Sequence, residues 1–262
     1  MIQSSLFSLR FALVAALFLA SLESSISSCR AQFDTIINVP PDAPLESIES
    51  NTQLNLFDGG AISSSSLFVG GLNGTASNAE FNMHGGTAGS IVVNQGGVAN
   101  IFAGAIRRGV LSNTLVNIYG GQIGRTVSAD HSLSVANGST ANIYGGVFPN
   151  NIEVGMEAEL NIHGGSFEGA NFFTRDRAEV NFFGRKFFVD GIEQTDLVVG
   201  QRRTFFDNGH FYSGILSDGS AFNLAVTASA FGSITLVPEP SCPAYLTTLV
   251  VSLLLARRKI VF

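Results

Sequence analysis

Residues that could take part in chemistry recur in one short phrase of the chain. Each copy places a flat side chain two residues after an asparagine and directly before two glycines. The four full copies are Asn82-Met83-His84-Gly85-Gly86, Asn117-Ile118-Tyr119-Gly120-Gly121, Asn142-Ile143-Tyr144-Gly145-Gly146 and Asn161-Ile162-His163-Gly164-Gly165. A ring beside an amide can hold a sugar, since the ring packs on its apolar side and the amide binds hydroxyl groups. Two histidines at one repeat position also suggest metal ligands.

The other copies decide between these two kinds of chemistry. Tyr119, Tyr144 and Phe183 occupy the position that His84 and His163 hold. The position therefore selects a flat side chain, and we predict neither a metal site nor a cofactor. If the copies stack, His84, Tyr119, Tyr144 and His163 form a stripe of rings. Such a stripe is either ordinary stacking along a strand ladder or a shallow platform for sugar rings.

Carboxylates are the other candidate catalytic groups, because lyases and glycosidases need charged groups that meet in a cleft. The acids gather in two groups, Glu153, Glu157 and Glu159 and then Asp176 and Glu179. Their spacing places them on outward strand positions or in turns, which indicates a solvated acidic edge. A Ca²⁺ site at Asp58 or among these acids is the alternative, without a Gly-Gly-x-Gly-x-Asp nonapeptide or an EF-hand loop to support it.

The phrase also reveals the elements that must position these side chains. Degenerate copies at Asn55 to Gly60, Asn100 to Gly104 and Asn181 to Gly184 bring the total to seven. The asparagines are separated by 27, 18, 17, 25, 19 and 20 residues. This range is typical of a solenoid in which each repeat makes one turn and carries insertions at its corners.

Alternation within each copy predicts strands. Apolar residues flank the asparagine, as Val116 and Ile118 flank Asn117, so they share one face and point inward. The glycine pair then permits a sharp corner. We predict an all-β fold, a parallel β-helix of about seven irregular coils. Its asparagines form a row that hydrogen-bonds along the axis, outside by alternation or inside if it occupies a corner.

The segments on either side of the repeat region are expected to cap its end coils. Residues 51–196 hold the repeats, and Pro40, Pro41 and Pro44 make residues 32–50 a poorly pairing linker. Residues 197–236 lack the phrase but contain turn signals at Asp207-Asn208-Gly209 and Ser217-Asp218-Gly219-Ser220. We interpret this segment as a small antiparallel β cap.

Charge excludes one class of partner. Residues 32–240 carry 19 Asp and Glu side chains against 9 Lys and Arg, a net charge of −10. A nucleic-acid-binding protein would present a basic face to phosphates, so nucleic acid is not expected as a partner. The two cysteines, Cys29 and Cys242, both lie outside this part, which predicts a fold held without disulfides.

Residues 1–31 have the features of a secretory signal peptide. Arg10 precedes an apolar run from Phe11 to Ala20, and small residues lead to cleavage after Ala31. A competing interpretation takes Ile26-Ser27-Ser28-Cys29, which resembles a lipobox and implies a lipidated Cys29. The long distance between the apolar run and Cys29 favours ordinary cleavage.

Residues 237–262 contain three features in a fixed order. Val237-Pro238-Glu239-Pro240-Ser241 comes first, an apolar stretch runs from Ala244 to Ala256, and the basic residues Arg257, Arg258 and Lys259 follow. This layout resembles the PEP-CTERM sorting domain. The resemblance implies recognition and removal by exosortase, a membrane protease-transpeptidase, and delivery to the surface or matrix of a Gram-negative-type bacterium that makes exopolysaccharide.

A permanent membrane anchor is the alternative for the same tail. A helix of these 13 residues spans about 20 Å, whereas the hydrocarbon core is about 30 Å thick. The short length favours a transient membrane helix that is removed after sorting.

Together these features predict an exported, non-enzymatic structural or adhesive protein of the cell surface or extracellular matrix. Its expected partners are an exosortase-type protease, the membrane at its C-terminal segment and exopolysaccharide. A carbohydrate-binding module that uses the ring stripe is the alternative. A polysaccharide lyase or hydrolase is the least favoured function.

Overall fold

The computed structural model describes residues 33–63, 66–124, 131–136, 138–206, 209–228 and 232–240. These residues form strands and turns and no helix. The predicted signal peptide and the predicted C-terminal helix lie outside them. Within the described residues there is accordingly no helix long and apolar enough to cross a membrane.

The strands of the described residues are short. They are β1 (Thr35–Val39), β2 (Ser47–Ile48), β3 (Thr52–Leu56), β4 (Ala61–Ile62), β5 (Leu67–Val69), β6 (Ala79–Met83), β7 (Thr87–Val93), β8 (Gly97–Ile101), β9 (Ala105–Ser112), β10 (Leu115–Ile118), β11 (Gln122–Ile123), β12 (Leu133–Val135), β13 (Thr140–Ile143), β14 (Ile152–Val154), β15 (Glu159–Ile162), β16 (Phe172–Thr174), β17 (Glu179–Val189), β18 (Ile192–Glu193), β19 (Arg203–Phe205), β20 (Phe211–Leu216), β21 (Ala221–Ala228) and β22 (Ser233–Pro238).

Sheet A contains the strands that carry the repeated asparagines. Its order is β1, β3, β6, β8, β10, β13, β15, β17 and β22, and each strand pairs in parallel with the next. The eight strands from β1 to β17 enclose about seven turns. The predicted all-β fold and parallel β-solenoid are therefore confirmed.

Sheet B forms the second wall of the solenoid. Its order is β2, β5, β7, β9, β12, β14, β16 and β21, again paired in parallel. Side chains from both sheets alternate inward. In β13, for example, Ala141 and Ile143 have no exposed surface, and in β14 the same holds for Ile152 and Val154. Burying such an aliphatic side chain contributes about 1.5–3 kcal/mol, so the interior of each coil stabilises the stack.

The two glycines serve different purposes at the corners of the four full copies of the phrase. The second glycine, such as Gly121 or Gly146, has a positive φ of 87° or 103°. The first glycine has no room for a side chain, because a Cβ at Gly145 would lie 2.6 Å from the carbonyl oxygen of Tyr119 in the preceding coil. Conformation therefore requires the second glycine and close stacking requires the first.

The N-terminal coil differs from the linker that the prolines suggested. All five residues of β1 pair with β3, and β2 pairs with β5. Prolines still limit this edge, because Pro40 follows β1 directly and has no N–H to offer. The backbone N–H of Asn38 donates to Asp42 Oδ2 at 2.8 Å, which occupies a further group on the open side. The first coil is thus a paired rung with a blunted edge.

The C-terminal region contains antiparallel strands, as predicted, and also one more parallel rung. Strand β20 pairs antiparallel with both β17 and β21, and β19 pairs antiparallel with β22. Yet β21 also pairs in parallel with β16, and β22 pairs in parallel with β17. The chain therefore leaves the solenoid after β17, forms an antiparallel excursion and returns to close a last coil.

Candidate functional site

The asparagines of sheet A form one continuous chain of hydrogen bonds on its outer side. The Nδ2 group of each donates to Oδ1 of the asparagine in the preceding coil, at 2.9 to 3.1 Å. The members of this asparagine ladder are Asn38, Asn55, Asn82, Asn100, Asn117, Asn142, Asn161 and Asn181. The row lies between inward-facing residues, as Asn55 does between the buried Leu54 and Leu56. The outward alternative and the axial hydrogen bonds are thus confirmed.

A second row lies two residues further along each strand. Adjacent rings are nearly parallel, with interplanar angles of 1° to 17° and centroids 4.1 to 5.2 Å apart. The members of this ring stripe are Phe57, His84, Phe102, Tyr119, Tyr144, His163 and Phe183. All four predicted stripe residues lie in it, although their role in binding a ligand stays a prediction.

Sequence reasoning missed two members of the ring stripe and one of the ladder. Phe57 and Phe102 each follow an asparagine by two residues, so the spacing alone could have found them. Asn38 lies between Ile37 and Val39, which is the same apolar flanking as in the full copies. The prolines after Val39 concealed it, since Pro40 replaces the ring.

The stacking determines what the ring stripe can offer to a ligand. Between Phe57 and Phe183 each ring face is covered by its neighbour in the next coil, so solvent reaches the ring edges. Tyr119 and Tyr144 remain 45% and 40% exposed. Contact between a sugar and a ring face is therefore blocked along the stripe, whereas contact with ring edges and hydroxyl groups is open.

The C-terminal end of the ring stripe meets the predicted sorting motif. Val237 and Pro238 belong to β22 and pair with Phe183 and Gly184. The backbone N–H of Glu239 donates to the carbonyl oxygen of Gly184 at 2.7 Å. Val237 through Glu239 thus continue the last rung of sheet A. The other motif residues, Ser241, Arg257, Arg258 and Lys259, lie outside the described residues.

The side chain of Glu239 connects this motif to the ring stripe. Its carboxylate accepts a hydrogen bond from the hydroxyl group of Ser217 and lies 3.7 Å from Nδ1 of His163. Burial lowers the pKa of His163, and the nearby Glu239 carboxylate offsets part of that effect. The structure therefore brings His163 and the sorting motif together, although they are far apart in sequence.

Two of the acidic residues that the sequence suggested as candidates form ion pairs, Glu153 in sheet B and Glu157 in a turn. Glu153 accepts a hydrogen bond from Nε of Arg175 at 2.8 Å, and Glu157 lies 2.6 Å from Arg177. No group of three or more potential metal ligands is assembled among the described residues. Within that part of the chain the acids do not converge in a cleft, and Asp58 lies at a corner against Gly85.

Comparisons with protein-family models, with curated proteins and with solved structures give no match to this chain.

Proposed function

We propose that this chain is an exported structural or adhesive protein of the cell surface or extracellular matrix. In this proposal an exosortase-type membrane protease sorts it through the C-terminal tail. The proposal rests first on the asparagine ladder, which links eight successive rungs by side-chain hydrogen bonds in addition to the backbone pairing. Such repeated pairing between neighbouring coils suits a scaffold that holds its shape by packing and hydrogen bonds.

The tail supports the sorting part of the proposal. Its sequence has the three ordered features of a PEP-CTERM signal, and its motif begins in the last rung of the body. A motif that starts where the solenoid ends would hand the intact folded body to a membrane enzyme. The short apolar stretch fits a segment that is removed after sorting better than it fits a permanent anchor.

Intact-mass measurement of the protein from its native cell tests this proposal. We expect a chain that lacks residues 1–31 and ends near the Val237-Pro238-Glu239-Pro240-Ser241 motif. A variant with Pro240→Ala is the matched comparison, because Pro240 lies beyond β22 and its replacement leaves the rungs intact. The variant should keep its tail. A wild-type protein that keeps residues 241–262 would instead identify a permanent anchor.

Carbohydrate binding at the ring stripe is the second candidate, favoured by the exposed hydroxyl groups of Tyr119 and Tyr144. It requires edge-on contact, because the ring faces are covered. Retention of the purified protein on immobilised exopolysaccharide tests it, with Tyr144→Phe as a variant that keeps the stack and removes one hydroxyl group. Weaker retention of Tyr144→Phe would support this function. Depolymerisation of the polysaccharide would overturn both non-enzymatic functions.

A further inference from the structure

The outer side of sheet B contains a hollow of about 440 Å³. Its lining is mostly polar, whereas the ring stripe is aromatic. The hollow lies over strands β7, β9 and β12. The residues that give it its character are Ser66, Ser90, Arg108, Gly109, His131 and Ser134. The hollow has the size of a small-ligand site, and its surface is formed mainly by hydroxyl groups, an imidazole and a guanidinium group.

A β-bulge creates this hollow. Ala88 pairs with Ile106 and Ser90 pairs with Gly109, so β9 has two residues, Arg107 and Arg108, where β7 has only Gly89. Bulges bend a strand and redirect its side chains. Here Arg108 reaches the hollow, whereas Arg107 is exposed but does not line it.

Gly109 is required where β9 passes the next coil beside the hollow. Its φ is +123°, and a Cβ at this position would lie 2.2 Å from the carbonyl oxygen of His131. Close packing against the backbone of His131 therefore admits only glycine here. The lining serines lie on the neighbouring rungs, with Ser90 in β7, Ser134 in β12 and Ser66 directly before β5.

Arg108 is the one Lys or Arg side chain among the described residues that line the hollow. Among the described residues no carboxylate lies within ion-pair distance of Arg108. Of the described acids, Glu153 is aligned with the hollow, because it pairs with Ser134. Its carboxylate is bound by Arg175 at 2.8 Å and lies 3.9 Å from His131. Arg108 thus keeps its charge available for an incoming anion.

We propose that this hollow binds the carboxylate of an acidic sugar, with a uronic acid residue as the unit that fits. The planar guanidinium of Arg108 matches the two oxygens of a carboxylate, and one guanidinium suits one negative charge. The serine hydroxyl groups and His131 supply hydrogen bonds to sugar hydroxyl groups. The volume exceeds that of a bare inorganic anion and accommodates a sugar ring. The site is independent of how the tail is sorted.

Titration calorimetry with the full body of the protein tests the proposal. The probes are glucuronate, galacturonate, glucose and inorganic sulfate, at one ionic strength. We expect both uronates to bind and glucose and sulfate to bind at least about tenfold more weakly, because each lacks either the charge or the hydroxylated ring. Sulfate binding as strong as that of the uronates would reduce the hollow to a simple anion site and overturn the sugar assignment.

Two neighbouring arginines provide a matched pair of variants. Arg108→Gln should weaken uronate binding about tenfold or more, because it removes a charge-assisted hydrogen-bonded pair. Arg107→Gln makes the same change in net charge one residue away and should bind uronate as the wild type does. Equal losses in the two variants would show general charge attraction and contradict a defined site. Ser90→Ala gives a second, uncharged readout and should weaken binding without altering its salt dependence.

Discussion

The asparagine ladder gives each rung between its two ends two shared hydrogen bonds. The Asn117 amide donates to Asn100 at 2.9 Å and accepts from Asn142 at 2.9 Å. The hydrogen bonds form only if every coil brings its asparagine to the same register position. The ladder therefore stabilises the correct register, and a shifted coil would lose these bonds. A ladder of this kind explains why the asparagine varies less between copies than the ring beside it.

Replacing an asparagine inside the ladder should therefore cost more than replacing one outside it. We expect Asn117→Ala to lower the free energy of unfolding by about 1–3 kcal/mol, because it removes two hydrogen bonds and leaves Oδ1 of Asn100 and Nδ2 of Asn142 without their ladder partner. Asn113→Ala is the control, since Asn113 lies in an exposed turn and makes one such bond to Asn94. Urea unfolding of both variants measures the difference. Equal costs would show that the ladder contributes nothing beyond an ordinary surface bond.

His163 should make the stability of the body depend on pH. Burial lowers its pKa from the ordinary value of 6.5, so the folded protein takes up its proton less readily than the unfolded chain. Stability is then lost as the pH falls below about 6.5. We expect His163→Phe, which keeps a ring in the stripe, to reduce the drop in Tm between pH 7.5 and pH 5. His84→Phe makes the same change of ring at an exposed position of the stripe. It is the control for any effect of the Phe ring on stacking, and it should leave the drop in Tm unchanged.

At the scale of elements, the second glycine of the phrase determines whether a strand turns. After the fourth strand of sheet A, β8, Ala103 replaces the first glycine, but Gly104 remains with a φ of +95° and the corner forms. In the last copy Arg185 replaces the second glycine, and β17 continues to Val189 with a shift of register between Gly184 and Lys186. This single difference directs the chain out of the solenoid and into the antiparallel excursion.

The repeat phrase was sufficient to predict the sheet A strands from β3 to β17, their inward residues and the corners between them, but not β1, where Pro40 replaces the ring. It could not predict the last rung, because Thr235 and Val237 replace the asparagine and the ring and only pairing with β17 reveals their register. It could not predict the hollow either. A bulge depends on how β9 pairs with β7, and the local sequence around Arg107 and Arg108 does not reveal that pairing.

The last rung should limit access to the sorting motif. Ser217 and His163 hold the Glu239 carboxylate, and Pro238 is buried. We expect Ser217→Ala to speed hydrogen exchange of the Val237 and Glu239 amides, because one anchor of the segment is removed. Exchange at Ile162, in a rung that Ser217 does not contact by hydrogen bond, is the internal control.

This change should also affect tail processing in the native cell if the motif is recognised in an extended, detached form. Ser217→Ala would then be processed faster than the wild type. Faster exchange without faster processing would mean that the enzyme reads only residues beyond Pro240. Unchanged exchange would contradict the docking of the motif itself.

At the scale of the whole solenoid, each coil contacts mainly its two neighbours. The strands pair only with the rungs before and after them from β3 to β15, and both side-chain rows follow the same rule. Stability of such a body is approximately a sum of coil terms and interface terms. A coil is therefore a unit that can be removed, provided that the cut joins equivalent positions.

Deletion of residues 142–160 removes one such unit of 19 residues, because Ala141 pairs with Leu160 and Asn142 with Asn161. The shortened chain should fold, with Asn161 donating to Asn117 and His163 stacking on Tyr119. Its unfolding should stay cooperative but occur at a lower urea concentration, since one coil and one interface are lost. Deletion of residues 142–151 is the control. It joins Ala141 of sheet A to Ile152 of sheet B without a corner, and the cooperative transition should disappear. If both deletions behave alike, the coils are not independent units.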